Sequence, residues 1–226
     1  MKSVLILAAH PDDEVLGCGG TIAKLGREGA SVNVAFLADG VSSREGEKGT
    51  RQSELNARQA AAEKACLILG AKAIFFGKFP DNRMDSIALL DIVRVIESLV
   101  AEYRPDTVFT HHAGDLNVDH RRTHEAVITA CRPQKDHPVQ RLLSFEVPSS
   151  TEWQLPGGAP AFAPNWFVDV SATLESKLAA LDIYEAEMRA WPHPRSRQGV
   201  EHLARWRGAT VGVDAAEAFI LGRQLA

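Results

Sequence analysis

Short, continuous apolar runs alternate along the chain with segments in which apolar residues recur at helical spacing. A continuous apolar run of this kind is typical of a strand that is buried on both faces. Such runs predict strands at residues 4–9, 31–38, 73–76, 107–110, 142–147 and 166–170. Helical spacing predicts helices at residues 21–28, 52–69, 87–103, 119–131, 173–189 and 200–207. Gly70 is the expected C-terminal cap of the second helix.

Strand–helix–strand alternation over the first 130 residues predicts an α/β fold, a Rossmann-like and mostly parallel sheet with helices on both faces. A length of 226 residues suits a single domain that spans residues 1–226. Two polar stretches, residues 39–50 and 148–164, lack either period and are predicted to be surface loops that cover the pocket and select the substrate.

Composition and charge argue against several classes of function. Apolar residues make up 45% of the chain, charged residues 24%, and the net charge is −4, which is ordinary for a globular protein. The small, scattered acidic excess gives no support to nucleic-acid binding or to a membrane surface. No segment approaches the roughly 20 apolar residues of a membrane span. Three widely spaced cysteines without a CxxC pair indicate a reducing, cytoplasmic location.

Polar clusters follow the predicted strands at the point where each strand ends. Residues 10–14 follow the first strand, Asp39 the second, Asp81 the third, and residues 111–120 the fourth. In parallel α/β sheets, ligands bind beyond the carboxyl ends of the strands. We therefore expect one crevice to collect these side chains.

The first of these clusters carries one imidazole and three carboxylates within five residues. Carboxylates this close repel one another unless a cation or a buried network compensates them. His10 and Asp13 can face one ion from a tight turn, and histidine with aspartate suits zinc. Asp12 then remains free to act on a bound water. Alternatively, Asp12, Asp13 and Glu14 only complement the N-terminus of the following helix.

The fourth cluster supplies the third ligand. A catalytic zinc commonly keeps three protein ligands and one position for water, and His120, at the start of a helix, completes the set. Asp119 is expected to orient a histidine ligand or the bound water from behind. A rival helical pair of His120 with His124 lacks the glutamate base of the metalloprotease motif, because Arg121 occupies its place.

These motifs together resemble the LmbE/PIG-L family of metal-dependent de-N-acylases. The segment HPDDE at residues 10–14, followed by GCGG at 17–20, resembles the first signature of that family, and DHR at 119–121 resembles the second. RQSEL at residues 51–55, FPD at 79–81, PHPRS at 192–196 and RG at 207–208 are similar to further family segments. The resemblance runs from the first strand almost to the C-terminus.

The resemblance implies a deacetylase that acts on an N-acetylated amino sugar or a conjugate of one, with zinc (Zn²⁺) as the cofactor and iron (Fe²⁺) left open. It makes His10, Asp13 and His120 the metal ligands and Asp12 the general base. It also implies that Arg51 and Asp81 hold sugar hydroxyls, and it leaves a homo-oligomer open.

The chain departs from the family at Asn117, where many members carry a histidine that helps to stabilise the oxyanion. An asparagine amide can donate a hydrogen bond, but unlike histidine it cannot take up a proton or carry a charge. Asn117 is therefore an expected substrate contact, with His193 and His111 as candidates for the missing histidine.

Two other functions compete with hydrolysis. A nucleotide-binding oxidoreductase is suggested by the glycine-rich segment, but Ile22 occupies the third glycine position of GxGxxG, and the acids before it would repel a pyrophosphate. A non-catalytic metal-binding or sugar-binding module would normally close its zinc with four ligands. Three ligands and a spare carboxylate favour an enzyme.

Overall fold

The computed structural model describes residues 1–42 and 48–225. Its strands are β1 (Ser3–Ala8), β2 (Ser31–Ala38), β3 (Lys72–Phe79), β4 (Thr107–His111), β5 (Arg141–Phe145), β6 (Trp166–Asp169) and β7 (Ala216–Gln224). Its α-helices are α1 (Asp13–Arg27), α2 (Lys48–Leu69), α3 (Leu89–Tyr103), α4 (Val118–Ala130), α5 (Leu174–Asp182) and α6 (Arg197–Ala209).

One sheet carries all seven of these strands in the order β3-β2-β1-β4-β5-β7-β6. The first five are parallel, and β7 lies antiparallel between β5 and β6. Helices α1, α2, α5 and α6 contribute to the core on one face of the sheet, and α3 and α4 to the core on the other. The prediction of a mostly parallel α/β sheet with helices on both faces is confirmed.

The central strand shows why its sequence is continuously apolar. Val4 and Ile6 enter one core, while Leu5 and Leu7 enter the other, and all four are fully buried. Because successive side chains of a strand point to opposite faces, a strand covered on both sides needs apolar residues at every position.

The glycine cluster departs from the expected turn, because it lies inside α1, which begins at Asp13 rather than near residue 21. A Cβ atom on Gly17 would lie 2.4 Å from the Phe145 ring, and one on Gly20 would lie 2.8 Å from Val170. These glycines therefore allow close packing of the helix instead of forming a phosphate-binding loop. The segment that suggested a nucleotide is a packing surface.

Two helix boundaries and one strand also differ from expectation. Helix α2 begins at Lys48, inside the loop expected at residues 39–50, of which 43–47 lie outside the described residues. The helix expected at 173–189 ends at Asp182, and a short 3-10 helix, Glu185–Glu187, follows it. Strand β7 was not predicted at all. Gly70 caps α2 with a positive φ of 72°, as expected.

A buried ion pair between α5 and β7 also binds the backbone of α1. Lys177 Nζ lies 2.6 Å from Glu217 Oε1, and both side chains are 4% exposed. Glu217 also accepts the backbone N–H groups of Gly20 at 2.9 Å and Thr21 at 2.7 Å, while Lys177 donates to the carbonyl of Leu16. The pair thus joins α5, β7 and α1, the helix that begins at Asp13 directly after His10 and Asp12.

Breaking this pair is expected to destabilise the fold. The change Lys177→Met leaves the Glu217 charge buried and uncompensated, which typically costs about 3–5 kcal/mol of unfolding free energy. Adding Glu217→Gln should restore part of the loss, because it removes the buried charge while the amide oxygen still accepts one of the two backbone N–H bonds. Denaturant unfolding measures both variants, and a loss below about 1 kcal/mol for Lys177→Met would contradict this account.

Candidate active site

A polar cavity of about 170 Å³ lies at the carboxyl ends of the parallel strands. His10, Asp12 and Asp13 reach it from the end of β1, Asp81 from the end of β3, and His120 from the start of α4. Its lining is His10, Asp12, Asp13, Gly40, Arg58, Asp81, Asn82, Asn117, His120, Glu187 and Arg195. Of the four polar clusters expected to share one crevice, all but Asp39 contribute residues to the lining of this cavity.

His10, Asp13 and His120 converge on one point of the cavity wall. Asp13 Oδ2 lies 3.4 Å from His10 Nδ1 and 3.3 Å from His120 Nε2. All three residues are buried, and one ligand atom from each lies within 4.8 Å of the others. A divalent cation fits such a set of donors. His10 also belongs to a second acidic group, with Asp81 and Asp119.

The far nitrogen of each imidazole faces a carboxylate. His10 Nε2 lies 3.0 Å from Asp119 Oδ2 and 3.1 Å from Asp81 Oδ1, and His120 Nδ1 lies 3.1 Å from Asp115 Oδ1. A carboxylate behind a histidine holds the proton on that side of the ring and leaves the other nitrogen free as a metal ligand. Both free nitrogens point toward Asp13.

Charge in the cluster also favours a cation. Burial lowers the pKa of His120, but the nearby Asp13 and Asp115 raise it to about 9. Burial lowers the pKa of His10 as well, and hydrogen bonds with Asp119, Asp13 and Asp81 outweigh that effect and raise it well above the usual value. Positive charge is therefore stabilised here, and an ion bound by two imidazoles and a carboxylate would supply it.

Asp115 is a residue that sequence reasoning did not assign. Its carboxylate accepts hydrogen bonds from Ser150 Oγ and, at 2.6 Å, from Thr151 Oγ1, and it faces His120. Burial raises the pKa of Asp115, but His120 and the two hydroxyls hold it well below the usual range. The loop predicted at 148–164 therefore supports the ligand His120 from behind.

The change Asp115→Asn is expected to weaken metal binding about 10- to 100-fold, the usual effect of removing a partner behind a ligating histidine. The asparagine amide cannot accept the His120 N–H with the strength of a carboxylate. Competition against a chelator of known affinity measures the change. Unaltered affinity would show that Asp115 does not orient His120.

Asp12 is held in a strained backbone conformation, with φ at 117°. Its N–H donates to Glu14 Oε2 at 2.9 Å, and the hydroxyl of Tyr184 donates to Glu14 Oε1 at 2.6 Å. A non-glycine residue at such a φ costs on the order of 1–3 kcal/mol, and residues of this kind cluster at active sites. Burial raises the pKa of Asp12 to about 6, even though Arg195 opposes the shift.

Two arginines that sequence reasoning missed also face Asp12. Arg195 Nη1 lies 3.2 Å and Arg58 Nη2 lies 3.9 Å from Asp12 Oδ2. Arg58 also pairs with Glu187 at 3.4 Å and donates to the carbonyl of Pro11. A helical spacing of seven residues puts Arg58 near the same face of α2 as Arg51, which was the one available signal.

Asn117 lines the cavity and caps α4. Its Oδ1 accepts the N–H of Asp119 at 2.8 Å and that of His120 at 3.4 Å, while its Nδ2 donates to Asn82 Oδ1 at 3.2 Å. Serving as an N-cap explains why the chain carries a short amide side chain at this position. The cap also fixes the first turn of α4, which presents His120.

Three residues expected to contact the substrate are not among the lining residues of this cavity. Arg51 occupies the first turns of α2, outside the cavity lining. His193 Nδ1 accepts the Arg195 N–H at 3.0 Å, and its ring packs edge to face on Trp153, so it too lies outside the lining. His111 is fully buried, accepts the Ala9 N–H at 2.8 Å and stacks on His120.

Residues 5–131 match the model of the PIG-L family, described as GlcNAc-PI de-N-acetylase. The chain is 31% identical to the diacetylchitobiose deacetylase of Thermococcus kodakarensis, over 83% of this chain and 70% of that protein. It is 28% identical to the uncharacterized deacetylase YaiS of Escherichia coli, over 80% of this chain and 89% of the relative.

Among solved structures, the conserved protein TT1542 of Thermus thermophilus superposes with a TM-score of 0.78 at 26% identity, covering 100% of this chain and 97% of that one. These similarities give no support to the nucleotide-binding oxidoreductase. Among the helices of residues 1–42 and 48–225, none combines the length and the apolar character needed to cross a membrane.

Proposed function

Because the chain belongs to the GlcNAc-PI de-N-acetylase family, we propose that it is a metal-dependent hydrolase that removes an N-acetyl group from an amino sugar or an amino-sugar conjugate. One observation carries the proposal: a buried His10–Asp13–His120 set stands beside Asp12 on a cavity that is open to substrate. Three ligands with an adjacent unliganded carboxylate are typical of a catalytic metal site and not of a structural one.

The bound cation would supply positive charge that acidifies a water molecule and polarises the amide carbonyl. Each imidazole is aimed by the carboxylate behind it, Asp115 for His120 and Asp119 for His10. Since those carboxylates are themselves hydrogen-bonded within the protein, the ligand geometry is set before an ion arrives. Zinc is the expected ion, with iron (Fe²⁺) as the alternative.

Asp12 is the proposed general base. Arg195 occupies its Oδ2 atom, so that Oδ1 remains to accept a proton from the attacking water. A carboxyl with a pKa raised toward neutrality can both take this proton and return it to the leaving nitrogen. The tetrahedral oxyanion needs a hydrogen-bond donor as well as the cation. Asn117 lines the cavity, and the second N–H of its amide, beside the one that meets Asn82, is proposed for that role.

Polar lining residues are proposed to bind the sugar. Asp81, Asn82 and Asn117 line the same cavity, and carboxylate and amide groups suit hydroxyl recognition. Roles for Arg51 and His193 in substrate binding stay predictions from the sequence, as do a cytoplasmic location, a single domain over residues 1–226 and a homo-oligomeric state.

The decisive assay measures acetate release from a panel of N-acetylated sugars, sugar phosphates and glycosides with metal-replete protein. We expect release from at least one amino sugar, loss of release after chelation, and recovery when zinc is returned. A protein that binds the metal but releases no acetate from any member of the panel would support the non-catalytic binding module instead.

A further inference from the structure

The catalytic cavity is too small for a conjugate. Its volume of about 170 Å³ compares with roughly 300–1,000 Å³ for sites that enclose a whole ligand. A cavity of this size does not enclose a whole sugar conjugate, so part of a larger substrate must lie outside it.

A second cavity, of about 340 Å³, begins at the wall of the first. Arg58 and Glu187 line both cavities, and their side chains meet at 3.4 Å, so this ion pair is the partition between them. A group that extends from the catalytic cavity over this pair would reach the second one. Together the two cavities reach the size of a site for a disaccharide-sized ligand.

The second cavity lies between one face of α2 and the segment that follows α5. Ala57 and Ala61 on α2 and Ile183 beyond α5 give it small apolar surfaces against which the apolar face of a ring can pack. Tyr184 closes it from behind, and the Tyr184 hydroxyl donates to Glu14, which in turn holds the backbone of Asp12.

The charge of this lining is acidic. Among its described residues, Arg58 is the one basic side chain, against the carboxylates of Glu54, Glu185 and Glu187. Arg58 already faces Glu187 and Asp12, so its charge is matched. A phosphate or carboxylate here would meet net negative charge, whereas hydroxyl and ammonium groups would meet hydrogen-bond acceptors.

We propose that this second cavity is the subsite for the group attached to the reacting sugar, and that it takes an uncharged or cationic unit, such as a second amino sugar, and rejects an anionic one. The inference rests on the proposed deacetylase function and names the substrate class within it.

The steric test adds bulk to the subsite with Ala57→Leu. Ala57 is exposed, so the change leaves the core untouched, and Ala60→Leu, on an exposed position of the same helix, is the matched control. The substrates are the methyl glycoside of N-acetylglucosamine and N,N′-diacetylchitobiose. We expect Ala57→Leu to lower kcat/KM at least about 10-fold for the disaccharide alone, and Ala60→Leu to change neither value. An equal effect on both substrates, or none, would overturn the subsite.

A binding measurement separates this inference from the proposed function. Calorimetry follows N,N′-diacetylchitobiose binding to metal-loaded Asp12→Asn protein with and without Ala57→Leu. Affinity should fall at least about 10-fold with the leucine, whether or not the parent enzyme turns this sugar over. Binding that is equally tight in both proteins, or absent from both, refutes the subsite, while the function is judged by acetate release alone.

The charge test compares N-acetylglucosamine 1-phosphate with the methyl glycoside. The wild type should use the phosphate at least about 10-fold less efficiently, and Glu185→Lys should narrow the gap. Glu102→Lys, at an exposed position of α3 outside the cavity lining, is the control and should leave the gap unchanged. Equal use of the two substrates by the wild type would overturn the assignment of charge.

Discussion

Replacing Asp12 by asparagine is expected to lower kcat by about 10²–10⁴-fold, the usual contribution of a positioned general base. The amide keeps the size of the side chain and accepts the hydrogen bond from Arg195, but it cannot take a proton. Since Asp12 is not among the three converging donors, metal content should stay at the wild-type level. Acetate release and metal analysis of the same preparation measure the two quantities.

A matched control guards against a general effect of the substitution. Asp136 is exposed and also has a positive φ, 64°, which asparagine tolerates. Asp136→Asn should therefore leave both kcat and metal content unchanged. If Asp12→Asn retained wild-type turnover with full metal, another residue would have to be the base.

Replacing His120 by alanine is expected to have a second large effect, on the metal itself. Loss of one of three ligands should weaken binding by more than the roughly 10- to 100-fold seen when a residue behind a ligand is removed. The protein purified under metal-replete conditions should hold clearly substoichiometric zinc and lack activity. Equilibrium dialysis followed by elemental analysis measures the occupancy.

His124 provides the control for this prediction. It lies one helical turn beyond His120, but its Nδ1 is 2.8 Å from the carbonyl oxygen of His111 and not at the metal site. His124→Ala should therefore keep its metal. Loss of metal from both His120→Ala and His124→Ala would revive the helical HxxxH pair, and full metal retention in His120→Ala would remove His120 from the ligand set.

The central sheet was predictable because its signal is local. Residues 4–8 are buried on both faces, and that burial leaves a continuous apolar run in the sequence. Helix α1 was harder to predict, because glycine has poor intrinsic helix propensity. The benefit of glycine at position 17 is its close packing against Phe145, which is distant in the sequence. Strand β7 was missed although its first residues are buried, because partly buried positions follow them and mask the pattern.

The site residues also fall into two groups, those with a local signal in the sequence and those that depend on contacts between distant segments. His10, Asp12 and Asp13 are adjacent in the sequence, so their spacing carried the metal hypothesis without a structure. The contacts of Arg58 and Arg195 with Asp12 were not predicted, although helical spacing places Arg58 near the face of Arg51 and Arg195 lies in the segment PHPRS. Each arginine meets Asp12 only after α2 and the segment before α6 pack around α1. Contacts of this kind depend on tertiary structure, and a single sequence does not encode them as a motif.

The left-handed backbone at Asp12 sets stability against activity at one position. Glycine would relax that conformation and favour the folded state, but it would delete the carboxylate on which turnover depends. No natural residue both relieves this torsion and supplies a carboxylate there, because a carboxylate requires the Cβ atom that causes the strain. Selection for heat resistance must therefore act elsewhere in the chain, and a screen that scores folding alone would be expected to enrich inactive variants at this residue.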